Sequence, residues 1–150
     1  MRHRISAGAL VIRGQSLLLV RHFRLGVHDF WAPPGGGVED GEELSATAER
    51  EAFEETGIVA KARAMAYIDE LIDSSGRLVK FWYIADYVAG EIDVGRNPAL
   101  DESIAEAGWF ARYALPAGHV FPAALHGEFW DELARGFPHP IKLPLMHSVF

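Results

Sequence analysis

Short runs of apolar residues, many of them β-branched or aromatic, recur along the chain and predict strands. Four of these runs form two pairs: Ile5–Ile12 with Leu17–Phe23, and Val59–Ile72 with Leu78–Val88. Turn-forming residues interrupt each pair, Gly14-Gln15 in the first and Asp73–Gly76 in the second. The pattern therefore predicts two β-hairpins, and Gly108–Ala111 is expected to be a further short strand.

Between the two hairpins, the pattern predicts a helix over Leu44–Thr56, which lacks Gly and Pro and is rich in Ala and Glu. Gly57 suits the left-handed residue that commonly ends a helix. Ahead of the helix, Phe30-Trp31 leads into Pro33–Gly37, where two prolines are followed by three glycines. The prolines predict a rigid approach, and the glycines that follow are expected to be flexible and to let the backbone come close to a ligand.

A second helical pattern lies nearer the C-terminal end. An aromatic residue or leucine recurs there at every fourth position: Phe121, Leu125, Phe129, Leu133 and Phe137. With Pro122 suited to a first helical turn, this stripe predicts a helix that packs into the core. Gly90–Leu100 reads as a polar loop, and the proline-containing Pro138–Phe150 as an extended segment. That segment either covers its own domain or packs on a partner subunit, so a homodimer stays open.

Composition limits the class of protein. A chain of 150 residues with 49% hydrophobic residues is long enough for one core, which predicts a single domain over residues 1–150. It has no cysteine, which excludes disulfides and thiol catalysis and is typical of a cytoplasmic protein. No apolar run has membrane-spanning length. A net charge of −7 argues against a long nucleic acid as partner but is compatible with a small nucleotide that arrives with a metal ion.

The predicted helix over Leu44–Thr56 carries the candidate chemistry. Glu51 is three residues from Glu54 and four from Glu55, so all of these carboxylates crowd one side of the helix. Like charges at this spacing repel one another, and a hard divalent cation such as Mg²⁺ would relieve that repulsion. In isolation such a run is more often a solvated helix face, so its surroundings decide the interpretation.

Those surroundings form one spaced pattern, Gly-x5-Glu-x7-Arg-Glu-Ala-x-Glu-Glu-x-Gly-Ile, over Gly36–Ile58. The pattern resembles the Nudix box, the signature of the Nudix hydrolase family. The resemblance implies a single Nudix hydrolase domain of the α/β (α+β) class, an α/β/α sandwich with a mixed β-sheet between helices. The order of the predicted strands and helices along the chain is similar to that fold.

The resemblance also implies roles for individual residues. Glu51, Glu54 and Glu55 would ligate Mg²⁺, with Mn²⁺ as an alternative, and the backbone carbonyl of Gly36 would be a further ligand. Arg50 would orient the glutamates by ion pairing, and Glu42 would anchor the junction between loop and helix. Glu102 resembles an acidic residue that many family members bring to the metal from a loop, and it is equally compatible with a plain surface position.

The reaction implied by this resemblance is hydrolysis of a nucleoside diphosphate linked to another group, such as a nucleoside triphosphate or a nucleotide sugar. The cation would neutralise the phosphate charge and lower the pKa of the water that attacks phosphorus. A carboxylate would take the proton from that water, with Glu51 as the first choice and Glu102 as the second.

Residues that contact the rest of the substrate are harder to identify. Aromatic side chains stack on nucleobases, and arginines bind phosphate, so the candidates are Arg21, Phe23, Arg24, Trp31 and Trp82. Each aromatic candidate is also compatible with ordinary core packing. Trp82 and Tyr83 are neighbours on a predicted strand and cannot both face one pocket.

Several subfamilies and other classes are disfavoured. ADP-ribose hydrolases of the family typically carry a proline, and dinucleoside-polyphosphate hydrolases a tyrosine, in the region that corresponds to Asp73–Gly76. Neither residue is present there. NADH-type and coenzyme A-type motifs are missing, and an RNA end-processing enzyme would favour a basic surface. The histidines show no zinc-binding spacing. The strongest alternative is a catalytically inactive Nudix-like module that binds or senses a nucleotide, although such modules commonly lose the box carboxylates that this chain retains.

Overall fold

The computed structural model describes residues 1–96 and 104–148, and its framework is the two predicted hairpins. The first consists of strands β1 (Arg2–Arg13) and β2 (Ser16–Arg24). The second, formed by β5 (Val59–Asp73) and β6 (Gly76–Ala89), is paired along most of its length. Both hairpins turn where Gly14-Gln15 and Asp73–Gly76 interrupt the apolar runs, which confirms the prediction.

One mixed sheet joins the strands. β1 runs parallel to β6, with Ser6 opposite Lys80, and antiparallel to β2. The shorter strands are β3 (His28–Ala32), β4 (Gly35–Gly37), β7 (Ile104–Ala111), β8 (Ile141–Lys142) and β9 (Met146–His147). β3 and β7 pair with β2, while β4 pairs with β1. The glycine segment is therefore held in the sheet as β4, whereas the sequence led us to expect flexible backbone there.

Helix α1 (Leu44–Thr56) covers one face of the sheet and has the predicted bounds. Its buried Ala48 and Ala52 pack with alanines and aliphatic residues of the strands, and small side chains let the helix approach the sheet closely. Gly57 has φ +79° and its N–H donates to the carbonyl of Phe53, as expected for a left-handed residue at a helix end.

The second helix covers the opposite face and differs from the prediction. In place of one continuous helix there is a 3₁₀ turn, Ala123–His126, followed by α2 (Glu128–Ala134). The break falls at Gly127, whose φ of −162° is extended rather than helical. Leu125 and Phe129 are nevertheless fully buried in the larger core cluster, so the predicted role of the stripe in core packing is confirmed. The result is a mixed sheet between helices, the expected α+β architecture.

The C-terminal segment lies on its own domain. β8 and β9 run parallel to β5, and the N–H groups of Leu143 and Ser148 donate to carbonyls of Ile68 and Ile72 at 2.9 Å. A homodimer stays a prediction. None of the helices in residues 1–96 and 104–148 is long and apolar enough to cross a membrane.

Candidate active site

The carboxylates of α1 meet the glycine strand β4 beside β1. Glu51 packs so closely on Gly36 that a Cβ at Gly36 would lie 2.5 Å from Glu51 Oε1. Ser6 on β1 donates from Oγ to the carbonyl of Gly36 at 2.6 Å, which fixes the orientation of that peptide. A side chain at Gly36 would therefore displace the Glu51 carboxylate from its position against the backbone of β4.

Arg50 links the carboxylates to one another and to the preceding loop. Its Nε donates to Glu42 Oε2 at 2.8 Å, and its Nη1 donates to Glu51 Oε1 at 3.0 Å and to Glu54 Oε2 at 3.1 Å. Nη2 donates to the carbonyl of Gly37 at 3.1 Å. These contacts, above all the hydrogen bond to Glu42, raise the pKa of Arg50. The fork-shaped guanidinium is well suited to hold several oxygen atoms at once.

Glu42 is the carboxylate that fastens the loop to the helix. Besides Arg50, it accepts a hydrogen bond from Thr47 Oγ1 at 2.6 Å and one from the N–H of Glu39 at 3.2 Å. The hydrogen bond from Arg50, followed by that from Thr47, lowers the pKa of Glu42 to about 2. Glu42 therefore stays ionised, and Arg50 keeps its anchor, throughout the neutral range.

The oxygen atoms at this site fit a hard divalent cation. Glu51 and Glu55 are almost fully buried, and with Glu54 and the Gly36 carbonyl they form an all-oxygen donor set of the kind that Mg²⁺ prefers. Across residues 1–96 and 104–148, no three His, Asp or Glu side chains are already gathered around one point. Glu51 and Glu54 instead point to Arg50. Each of these carboxylates gives one oxygen to Arg50. Binding of a cation would therefore require the carboxylates to come closer together around one point.

A cavity of about 210 Å³ lies among β3, β5, β6 and the C-terminal segment, and Lys80 in its wall also borders Gly35 of β4. Aromatic residues from separate elements line it, among them Phe30, Trp82 and Phe121, together with Met146 of β9. Asp69 and Lys80 are among the charged residues in its wall. An apolar space with a few polar groups in its wall is characteristic of a small-molecule site.

The structure separates the predicted substrate-binding residues. Trp82 lines the cavity, but it is only 3% exposed and its Nε1 donates to Asp69 Oδ2 at 3.4 Å. Trp31 is a core residue in edge-to-face contact with Phe110. Because neighbours on a strand alternate, Trp31 faces away from the cavity that Phe30 and Ala32 line on the same strand.

The arginines and Phe23 lie on β2. Arg21 pairs with Trp31 across the sheet, so Arg21 and Phe23 share the face opposite the cavity. Both arms of the Arg21 guanidinium are occupied, by Asp29 at 2.9 Å and by Glu106 at 2.7 Å. Arg24 lies two residues from His22, on the face that carries the stacked pair His22–Phe30. Glu102 lies outside the described residues.

Lys80 was missed by the sequence reasoning. Its signal was available, since it is a lone charge between Val79 and Phe81 in a run of apolar residues on β6. The apolar run by itself predicts only a strand. In the structure, the Lys80 side chain lines the cavity and also borders Gly35, whose N–H donates to Glu55 Oε2 at 3.4 Å.

Comparison with known proteins agrees with the geometry. Residues 2–128 match the NUDIX domain model. The chain is 35% identical over 108 residues to an NAD-capped RNA hydrolase NudC of Mannheimia succiniciproducens, covering 69% of this chain and 38% of the relative. An ADP-ribose pyrophosphatase of Methanocaldococcus jannaschii is 27% identical over 93 residues, covering 61% of this chain and 55% of that protein.

A solved structure shows the same architecture. The crystal structure of a MutT NUDIX hydrolase from Burkholderia pseudomallei superimposes with a TM-score of 0.71 at 27% identity, covering 85% of this chain and 98% of that one. The chain spans just over a third of the length of the NAD-capped RNA hydrolases that it matches.

Proposed function

The chain belongs to the NUDIX domain family, and from that premise we propose that it hydrolyses the diphosphate linkage of a small nucleotide with a divalent cation. The observation that carries the proposal is the arrangement around Gly36. There, Glu51 and Glu55 are buried beside the glycine strand, and Arg50 holds Glu51 and Glu54 by ion pairs. Burying carboxylates side by side costs free energy unless a positive charge binds to them. A metal-dependent site supplies that charge as the cation.

In this proposal Glu51, Glu54, Glu55 and the carbonyl of Gly36 hold the cation, Mg²⁺ or Mn²⁺. When bound, the cation neutralises phosphate charge and lowers the pKa of the attacking water. Arg50 keeps the Glu51 and Glu54 carboxylates in place through hydrogen bonds of 3.0 and 3.1 Å. Glu51 accepts the proton from the water, with Glu102 as the second choice for this role.

The neighbouring cavity supports a substrate that carries a planar ring. Phe30 and Phe121 in its wall meet edge to face, with ring centroids 5.8 Å apart, and such rings offer stacking surfaces for a base. Relatives named for NAD-capped RNA and for ADP-ribose support a diphosphate that joins two larger groups. The charge of −7 favours a small nucleotide over RNA.

The experiment that tests this function is a survey of turnover by the purified protein with Mg²⁺. The panel contains nucleoside triphosphates, nucleotide sugars, ADP-ribose and NAD, and chromatography identifies the nucleotide products. We expect one compound class to be cleaved to a nucleoside monophosphate and its partner phosphate compound, and cleavage to stop in EDTA. Tight binding of a panel member without cleavage would contradict the proposal and favour the nucleotide-sensing alternative.

A further inference from the structure

Lys80 stands at the boundary between the aromatic cavity and the carboxylates. It lies on β6 opposite Ser6 of β1, the residue that hydrogen-bonds to the Gly36 carbonyl. Its Nζ lies 4.3 Å from the centroid of the Trp82 ring, in a cation–π contact, and its side chain lines the cavity wall. The ammonium group is thus held at the inner end of the cavity.

The same ammonium group borders the glycine strand. A Cβ at Gly35 would lie 2.7 Å from both Cε and Nζ of Lys80, so Lys80 occupies space that only glycine leaves open. The N–H of Gly35 in turn donates to Glu55 Oε2 at 3.4 Å. Burial lowers the pKa of the Lys80 amine, and the negative charges of Glu55, Asp69 and Glu51 oppose this shift by favouring the charged form.

The donors of Lys80 are not used within the described residues. Over residues 1–96 and 104–148, no hydrogen bond or ion pair joins Nζ to another group, and the cation–π contact leaves its N–H groups available. An ammonium group has three N–H donors and strongly favours anionic oxygen acceptors. A position between a carboxylate site and a ring-binding cavity is where a phosphate group of a bound nucleotide would lie.

We propose that Lys80 is a substrate-binding residue that donates to a non-bridging oxygen of the diphosphate, on the side of the carboxylates nearer the cavity. The contact fixes the position of the substrate in the site, so that its ring lies in the cavity and its scissile bond lies beside Glu51 and Glu55. This inference rests on the proposed function, because it assumes a diphosphate substrate. A purely structural lysine would instead only balance the charge of Glu55 and Asp69.

The test measures binding without turnover. The α,β-methylene analogues of ADP, GDP and UDP are titrated by calorimetry in saturating Mg²⁺ into the wild type, Lys80→Met and Lys80→Arg, and the parent nucleosides are titrated in parallel. We expect Lys80→Met to bind the best analogue about tenfold or more weakly, as for loss of a charge-assisted hydrogen bond. The nucleoside should bind unchanged, and Lys80→Arg should retain part of the affinity. Lys61→Met, at a lysine that is 77% exposed, should match the wild type.

Three results would overturn the inference. Unchanged analogue binding by a folded Lys80→Met variant would show that the amine does not contact phosphate. Equal losses for analogue and nucleoside would show that Lys80 acts only by packing on Trp82. If the wild type binds none of the analogues, both this inference and the proposed substrate class are contradicted. If the wild type binds an analogue but does not hydrolyse the parent nucleotide, only the proposed function fails, and the comparison of variants still decides the role of Lys80.

Discussion

Arg50 donates hydrogen bonds to four oxygen-bearing groups. Its contribution to catalysis should therefore exceed that of a simple positive charge. We predict that Arg50→Lys lowers kcat about 10- to 100-fold, the usual cost of losing a group that orients metal ligands. A lysine ammonium cannot span Glu42, Glu51 and Glu54 with the geometry of the guanidinium fork. Steady-state kinetics with Mg²⁺ checks this, with Arg63→Lys, at an exposed ion pair, as the control. Equal kcat for Arg50→Lys and the wild type would refute the orienting role.

Glu42 gives a prediction about pH. Its pKa falls from 4.5 to about 2 in the folded protein, so its contribution to stability is complete above about pH 4.5 and is lost as the pH falls towards 2. At neutral pH, Glu42→Gln should reduce the free energy of unfolding by roughly 1.5–3 kcal/mol, the typical contribution of a hydrogen bond to a charged group. Denaturant unfolding at several pH values measures the difference, which should shrink on acidification below pH 4.5. A difference independent of pH would count against the ion pair.

Among the secondary-structure elements, β4 links the sheet to the chemistry through one glycine. A methyl group at Gly36 would meet the Glu51 carboxylate at 2.5 Å, whereas none of the described atoms lies within 4 Å of a Cβ placed at Gly37. We therefore predict that Gly36→Ala lowers turnover about tenfold or more, since small misplacements at a reacting site are costly. Gly37→Ala should retain activity. Because the end of a glutamate side chain can move aside, thermal unfolding should place both variants near the wild type.

A comparison of kcat for these two alanine variants decides whether turnover depends on the close contact between Gly36 and Glu51. Similar activity in both would show that contact between β4 and Glu51 is unimportant. A large loss of stability in Gly36→Ala alone would assign the glycine to folding rather than to the site.

Prediction from sequence succeeded where the determining interactions are local. The bounds of α1 follow from propensity and from Gly57, and the hairpins from their turn residues. The helix at Phe121–Phe137 was wrong in extent because its periodic stripe passes over Gly127, where the chain is extended. Glycine is a weak helix former, and at Gly127 this preference outweighs the periodic stripe.

The substrate side of the site depends on contacts that sequence spacing does not reveal. Arg21 and Trp31 face the opposite side of their strands from the cavity because of the register between β2 and β3. That register brings Asp29 within reach of Arg21 instead. Lys80 lies 22 residues beyond Ile58, the end of the box, and the parallel pairing of β6 with β1 brings it close to the box.

At the scale of the whole molecule, the C-terminal segment forms part of the cavity wall. This segment lies outside the part of the sequence that matches the family. The NUDIX domain match ends at residue 128, whereas β9 contributes Met146 to the cavity wall. We predict that Met146→Ala raises KM for the nucleotide substrate about tenfold with little change in kcat, since pocket contacts discriminate at about this level. Leu145→Ala, at a neighbour that is 47% exposed, is the matched control. Equal KM values for both variants would show that the segment only caps the sheet.

The central claim is that the buried carboxylates of α1 carry out metal-dependent hydrolysis, and one measurement addresses it most directly. The initial rate on the best substrate of the panel is recorded against Mg²⁺ concentration for the wild type, Glu55→Gln and Glu43→Gln. Glu43, at the beginning of the same helix, makes no side-chain capping hydrogen bond and is the matched control. The account predicts that Glu55→Gln loses at least about a hundredfold in rate while remaining folded, and that Glu43→Gln retains it. Wild-type rates and metal dependence in Glu55→Gln would contradict the account.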